Sequence, residues 1–168
     1  MSFSIEEGSL KFIFQNQVTA VKYDNWIHYR NQFKDRCYKN NKAVDFIACD
    51  RDTAWLCEIK DFRIADRNPE KIPLYDEIAI KIRDTLAGLI SAKLLANDRK
   101  EKEFAKKVLR CRKINIILHI EQPETPYYNL SDLKDKLCQL LKAIDPHVKV
   151  MSKKKVYNVP WSVEYTHT

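Results

Sequence analysis

The run "AVDFIACDRDTAWLCEIK", residues 43–60, limits the folds open to this chain more than any other stretch. Two apolar segments rich in aromatic and β-branched residues, each too short for a stable helix, flank the polar break "DRDT". That pattern predicts a β-hairpin. A turn symmetric about Arg51 and Asp52 pairs Cys49 with Ala54, and counting outward places Asp45 opposite Glu58. Opposite residues share a face with Cβ atoms about 4.5 to 5.5 Å apart, and Lys60, two residues beyond Glu58, projects from the same side. Val44, Phe46, Ala48, Trp55, Cys57 and Ile59 are expected on the other, core-facing side. A slip of one residue would exchange these two sets, so the register is strongly specified.

Around this hairpin the chain alternates strands and helices. Leu10 to Phe14 and Val18 to Tyr23 read as strands, and a helix from about Asn25 carries Trp26, Tyr29, Phe33 and Cys37 as its apolar stripe until "KNNK" interrupts it. After a loop with Pro69 and Pro73, Asp76 to about Ala96 has the longest helical periodicity, with Ile78, Ile82, Leu86 and Leu89 on one face and acids at its start. "INIILHI" has the composition of a central strand. "EQPETPYYN" leads into an amphipathic helix expected to be capped at about Ser131, and "HVKVM" and "WSVEY" close the chain as strands. No internal repeat is visible. The expected class is α/β, a single domain over residues 1–168, with a mixed central sheet flanked by helices.

With 45% hydrophobic and 32% charged residues and only two glycines, the composition is that of a packed globular chain. No apolar run approaches the roughly 20 residues that cross a bilayer, and "MSFSIEEGSL" lacks the basic-then-apolar order of a signal peptide. A cytoplasmic location with no membrane partner is expected. Cys37, Cys49, Cys57, Cys111 and Cys138 are widely spaced in apolar segments, and His28, His119, His147 and His167 form no close pair. Zinc sites need close pairs, so buried reduced thiols are expected.

The net charge of +7 is concentrated in "RKEKEFAKKVLRCRK", residues 99–113, with eight basic and two acidic residues. Arg99, Lys102, Lys106, Arg110 and Lys113 recur at helical spacing, while Phe104, Val108 and Cys111 fall on another face. Such a stripe suits either a phosphate backbone or plain solvation.

Carboxylates facing each other across a hairpin repel, and a divalent cation would compensate. Mg²⁺, with Mn²⁺ as its substitute, favours carboxylate and carbonyl oxygens together with substrate phosphate, and the Lys60 ammonium beside it would act on a water or on developing charge. Asp45 in "VDF", twelve intervening residues and then "EIK" resemble the signature of the PD-(D/E)XK, restriction-endonuclease-like nucleases. The resemblance implies an αβββαβ core and a Mg²⁺-dependent endonuclease, a phosphodiester hydrolase acting on DNA in repair, defence or restriction-like cutting. It further implies a metal held by Asp45, Glu58 and the Ile59 carbonyl, with Lys60 assisting the water. Ala43-Val44 stands where the family name has a proline. An upstream acid used by many members is best represented by Asp24, with Glu6, Glu7 and Asp35 behind it.

Other residues have plainer readings. Asp61 and Arg63 suit a loop salt bridge, His119 and Glu121 a satisfied core or rim, Lys81 and Asp84 the solvated side of the long helix, and Tyr127 and Tyr128 the cover of a core edge. The alternatives to the nuclease are a binding module for nucleic acid, DNA or RNA, that lacks catalysis, and a protein-interaction module. One acid–lysine set per chain further suggests a homodimer for cutting two strands.

Overall fold

The computed structural model describes residues 3–64 and 71–166; Pro69 and His167, named above, lie outside them. Its centre is a mixed five-stranded sheet built of β3 (Thr19–Lys22), β4 (Phe46–Asp50), β5 (Thr53–Asp61), β6 (Lys113–Glu121) and β7 (Lys149–Met151), lying side by side in that order. The first three pair antiparallel, whereas β5, β6 and β7 pair parallel. Cys49 pairs with Ala54 as the hairpin predicts, and Arg51 takes the positive φ of 49° that so tight a turn requires. This mixed α/β arrangement is the expected class.

Three helices, α1 (Leu74–Leu95), α2 (Arg99–Leu109) and α3 (Leu130–Leu140), cover one face of the sheet. Ile47, Cys49, Ala54, Leu56, Ile116 and Leu118 meet Ile78, Ile82, Leu89, Phe104 and Leu137 there. The other face is also buried, under a second sheet of β1 (Ser4–Glu7), β2 (Leu10–Phe14) and β8 (Trp161–Tyr165) in the order β1-β2-β8. Phe12, Phe14 and Trp161 pack there on Phe46, whose ring lies 5.2 to 5.4 Å from theirs. Both sides of the hairpin are therefore interior. Phe46, Ala48, Trp55, Cys57 and Ile59 share a core as expected, but Val44, ahead of β4, belongs to the helix side.

Local chemistry sets the element boundaries. Asp98 caps α2 by accepting the Glu101 N–H at 2.9 Å. The cap of α3 is Asn129, which accepts from Ser131 and Asp132 N–H, two residues before the expected Ser131. Between β3 and β4 the predicted helix shortens to a 3₁₀ turn, Tyr23–Asn25, and a π-helical segment, His28–Phe33. Trp26, Tyr29 and Phe33 are buried as the stripe implied, but Cys37 lies past the helical segment and is exposed. The segment lies against α1 where that helix has no side chain: a Cβ on Gly88 would stand 2.0 Å from the Tyr23 hydroxyl oxygen. Among the described residues no helix is long and apolar enough to cross a membrane.

Candidate functional site

The polar end of the hairpin lies on the helix-covered face. Asp45 is in the residue just before β4, opposite Glu58 by extension of the register, and its Oδ2 accepts the Ile59 N–H at 2.7 Å. Glu58, 1% exposed, is bound through Oε1 by Lys81 Nζ of α1 at 2.5 Å and by Lys60 Nζ at 3.2 Å. Lys60 also meets Glu77 of α1 at 2.6 Å. The sequence reading missed Lys81 and Glu77 as site residues. Their positions in the helix, Glu77 one turn before Lys81, place both over the strand ends, and that i, i+4 acid–base spacing was the available signal. Lys81 is half-buried here and not on a solvated face. Asp84, one turn on, is buried as well and accepts the Lys42 N–H at 2.9 Å.

Burial decides the electrostatics. It lifts the Asp45 carboxyl to about 8, the Glu58 charge pushing the same way against Lys81 and the Ile59 N–H. Burial also raises Glu58, although Lys81 and then Lys60 pull it back. The Lys81 ammonium is lowered by burial, yet Glu58 and Asp45 outweigh that and leave it raised. One oxygen of Glu58, Oε2, is buried with no hydrogen-bond partner.

Asp24 stands close by on the 3₁₀ turn. Its carboxyl is raised by burial and by Glu7, and its Oδ1 is a second buried oxygen without a hydrogen-bond partner. One carboxylate oxygen each from Glu7, Asp24 and Asp45 lie within 4.8 Å of one another. Glu7, from β1, also pairs with Lys22 Nζ at 2.7 Å. Three convergent carboxylates, one carrying an orphaned oxygen, fit a hard divalent cation completed by waters. Glu6 and Asp35 do not join this group. Asp24, Tyr29, Lys42, Asp45, Lys60, Lys71, Glu77 and Lys81 line a cavity of about 510 Å³, within the range of ligand pockets.

The remaining residues separate from this centre. Asp61 pairs with Arg63 at 2.6 Å, and His119 Nε2 meets Glu121 at 2.8 Å inside the protein. On α2 the buried side is Phe104, Ala105 and Val108; Arg99 and Arg110 are exposed, Lys102 and Lys106 half-buried, and Lys113 opens β6 on the surface. Lys106 is paired with Glu103 at 2.8 Å. Glu101 instead holds the N–H groups of Ile27 and His28, which ties α2 to the helical segment.

No family model matches the chain, and no solved structure matches it. It is 33% identical to a cysteine–tRNA ligase of Neisseria meningitidis serogroup A / serotype 4A, over an alignment of 206 residues that takes in 95% of this chain and 29% of the ligase. The chain thus spans less than a third of the length of that curated relative.

This likeness corrects the PD-(D/E)XK resemblance and with it the DNA nuclease, endonuclease and restriction-like reading. The physical reason lies at Glu58. The repulsion for which a catalytic cation between Asp45 and Glu58 was expected is already met by two lysine ammonium groups on Glu58. An acid and a lysine two residues apart on a strand end therefore need no nuclease to account for them. The helix lysine that completes the charge balance lies outside the short signature.

Proposed function

We propose that this chain is a tRNA-binding module, equivalent to one segment of a tRNA ligase, whose lysine-and-carboxylate pocket receives an RNA phosphate. The likeness to the cysteine–tRNA ligase across 95% of the chain carries the reading. Two features support it. The exposed side of α2 and its continuation offer Arg99, Lys107, Arg110, Arg112 and Lys113 to a phosphate backbone. The pocket places the amines of Lys42, Lys60, Lys71 and Lys81 beside the acids Asp24, Asp45 and Glu77. Mg²⁺ or Mn²⁺ would be held by Asp45, Asp24 and Glu7, and not by Asp45, Glu58 and the Ile59 carbonyl. When bound it would neutralise the acids and draw a phosphate oxygen toward the lysines. RNA replaces DNA as the partner, in keeping with the ligase's name.

Filter binding with a tRNA-Cys transcript, a second tRNA and duplex DNA across a salt series tests this. The expected outcome is preference for tRNA over DNA, strengthened by Mg²⁺. Changing Lys107, Arg110 and Arg112 together to Glu should flatten the salt slope by about one unit for each phosphate no longer neutralised. Equal affinity for DNA and tRNA, or no binding to either, would overturn the proposal.

A further inference from the structure

At the opposite end of β4 from Asp45, two thiols lie in contact. Cys49 Sγ and Cys111 Sγ are 3.3 Å apart, although 62 residues separate them in the chain. Cys49 is fully buried on the helix side of β4, while Cys111, just after α2, is partly exposed. Its thiol also approaches the carbonyls of Lys107 and Arg51 at 3.6 and 3.8 Å. The surrounding backbone is held in place, since the N–H groups of Arg112 and Lys113 both donate to the Asp52 carbonyl. The other cysteines are placed differently: Cys57 and Cys138 direct their thiols at backbone carbonyls, and Cys37 is exposed.

We propose that Cys49 and Cys111 are a peroxide-responsive pair that closes reversibly to a disulfide. Cys111 is the thiol a peroxide reaches, because it is partly exposed and flanked by Arg110 and Arg112, the electropositive setting in which cysteines react. Its sulfur attacks one oxygen of hydrogen peroxide; the O–O bond breaks, and the leaving hydroxide takes the thiol proton and departs as water. The Cys111 sulfenic acid then faces Cys49 across the contact. Burial and the Cys111 contact push the Cys49 thiol up to about 12, so Cys49 keeps its proton until it attacks. Its sulfur bonds to that of Cys111, the S–O bond breaks, and hydroxide leaves as a second water with the Cys49 proton. Two thiols lose two hydrogens and two electrons, and the peroxide is reduced to two waters. The sulfurs need to close from 3.3 Å to about 2.05 Å. The bond would pin the end of the basic helix α2 to β4, which brings the surface carrying Lys107 and Arg110 under redox control.

Stepwise hydrogen peroxide on the reduced protein, followed by alkylation and peptide mapping, tests the pair. The expected result is loss of two of the five thiols and one cross-linked peptide joining Cys49 to Cys111, reversed by dithiothreitol. In Cys49→Ala the sulfenic acid at Cys111 should persist and be trapped by dimedone. Cys111→Ser, a change at a partly exposed position, should leave Cys49 reduced. A wild-type product that stops at oxidised Cys111 with Cys49 still free, a cross-link through Cys37, or no consumption of thiols would each overturn the proposal.

Discussion

Glu58 and Glu121 are both buried carboxylates on neighbouring parallel strands, and they are treated in opposite ways. Glu121 Oε1 takes His119 Nε2 at 2.8 Å and the Lys153 N–H at 2.6 Å, and its Oε2 takes the Tyr165 hydroxyl at 3.2 Å. Burial pushes its carboxyl up, but these donors outweigh it and leave the group below its ordinary range. Glu58 has two ammonium groups crowded on one oxygen and none on the other, and it stays raised. A fully donated carboxylate is a structural joint. Glu58 keeps one oxygen without a donor and is bound by Lys60 and Lys81, which line the charged cavity, and the site is therefore placed on its side of the sheet and not at Glu121.

The contrast breaks most sharply at Lys81. Lys81→Met removes one of the two charges that balance Glu58, and a buried ion pair that loses a partner costs about 3 kcal/mol. Urea denaturation at neutral pH should show that loss, and adding Glu58→Gln should restore most of it. If the double variant were no more stable than Lys81→Met alone, the charge coupling would be absent.

A smaller effect is expected at Glu121. Glu121→Gln turns an acceptor into an amide that must face at least one existing donor, at a cost of about 2 kcal/mol. Glu58→Gln, which leaves the Lys81 and Lys60 ammonium groups without their shared carboxylate, should cost more, about 3 kcal/mol. Equal costs in chemical denaturation would erase the distinction between joint and site.

The mildest test is a slope. Asp45 holds its proton in the folded chain up to about pH 8, whereas an unfolded aspartate releases it near 4. The folded state therefore binds the extra proton between those values, and stability from this group is full below about pH 4 and declines as pH rises toward 8. The decline is at most about 1.4 kcal/mol per pH unit. Asp45→Asn should remove that part of the slope, as should saturating Mg²⁺ for the wild type. An unchanged slope in Asp45→Asn would show that Asp45 ionises normally.

The hairpin was legible because alternation and turn residues are local: Cys49–Ala54 and the shared side of Asp45, Glu58 and Lys60 follow from counting. The junction of α2 and β6 was not: helical spacing carried the stripe on to Cys111 and Lys113, whereas the helix stops at Leu109 and Lys113 opens β6. Neither was Lys81, since its role depends on how α1 rotates as it packs, and Gly88 and Tyr23 set that contact. The second sheet was also hidden. "WSVEY" looks like a strand, but nothing in it names β2, some 150 residues earlier, as its partner. With Trp55 and Ile59 buried on one side and Leu56 and Glu58 on the other, the hairpin did not show which face the helices would cover. The nuclease signature misled because it describes a strand end and omits the helix above it.

The β2–β8 pairing has a consequence in time. A ribosome releases Phe12, Phe14 and the whole hairpin well before Trp161 and Val163, which share their core. The helix-side core can assemble from residues already made, but the other face of Phe46 and Trp55 stays partly open until β8 emerges. Long-range closure of this kind is slow and leaves apolar strand surface exposed meanwhile. The interval of greatest stickiness thus falls between the emergence of the hairpin and that of β8, and it ends when β8 docks beside β2.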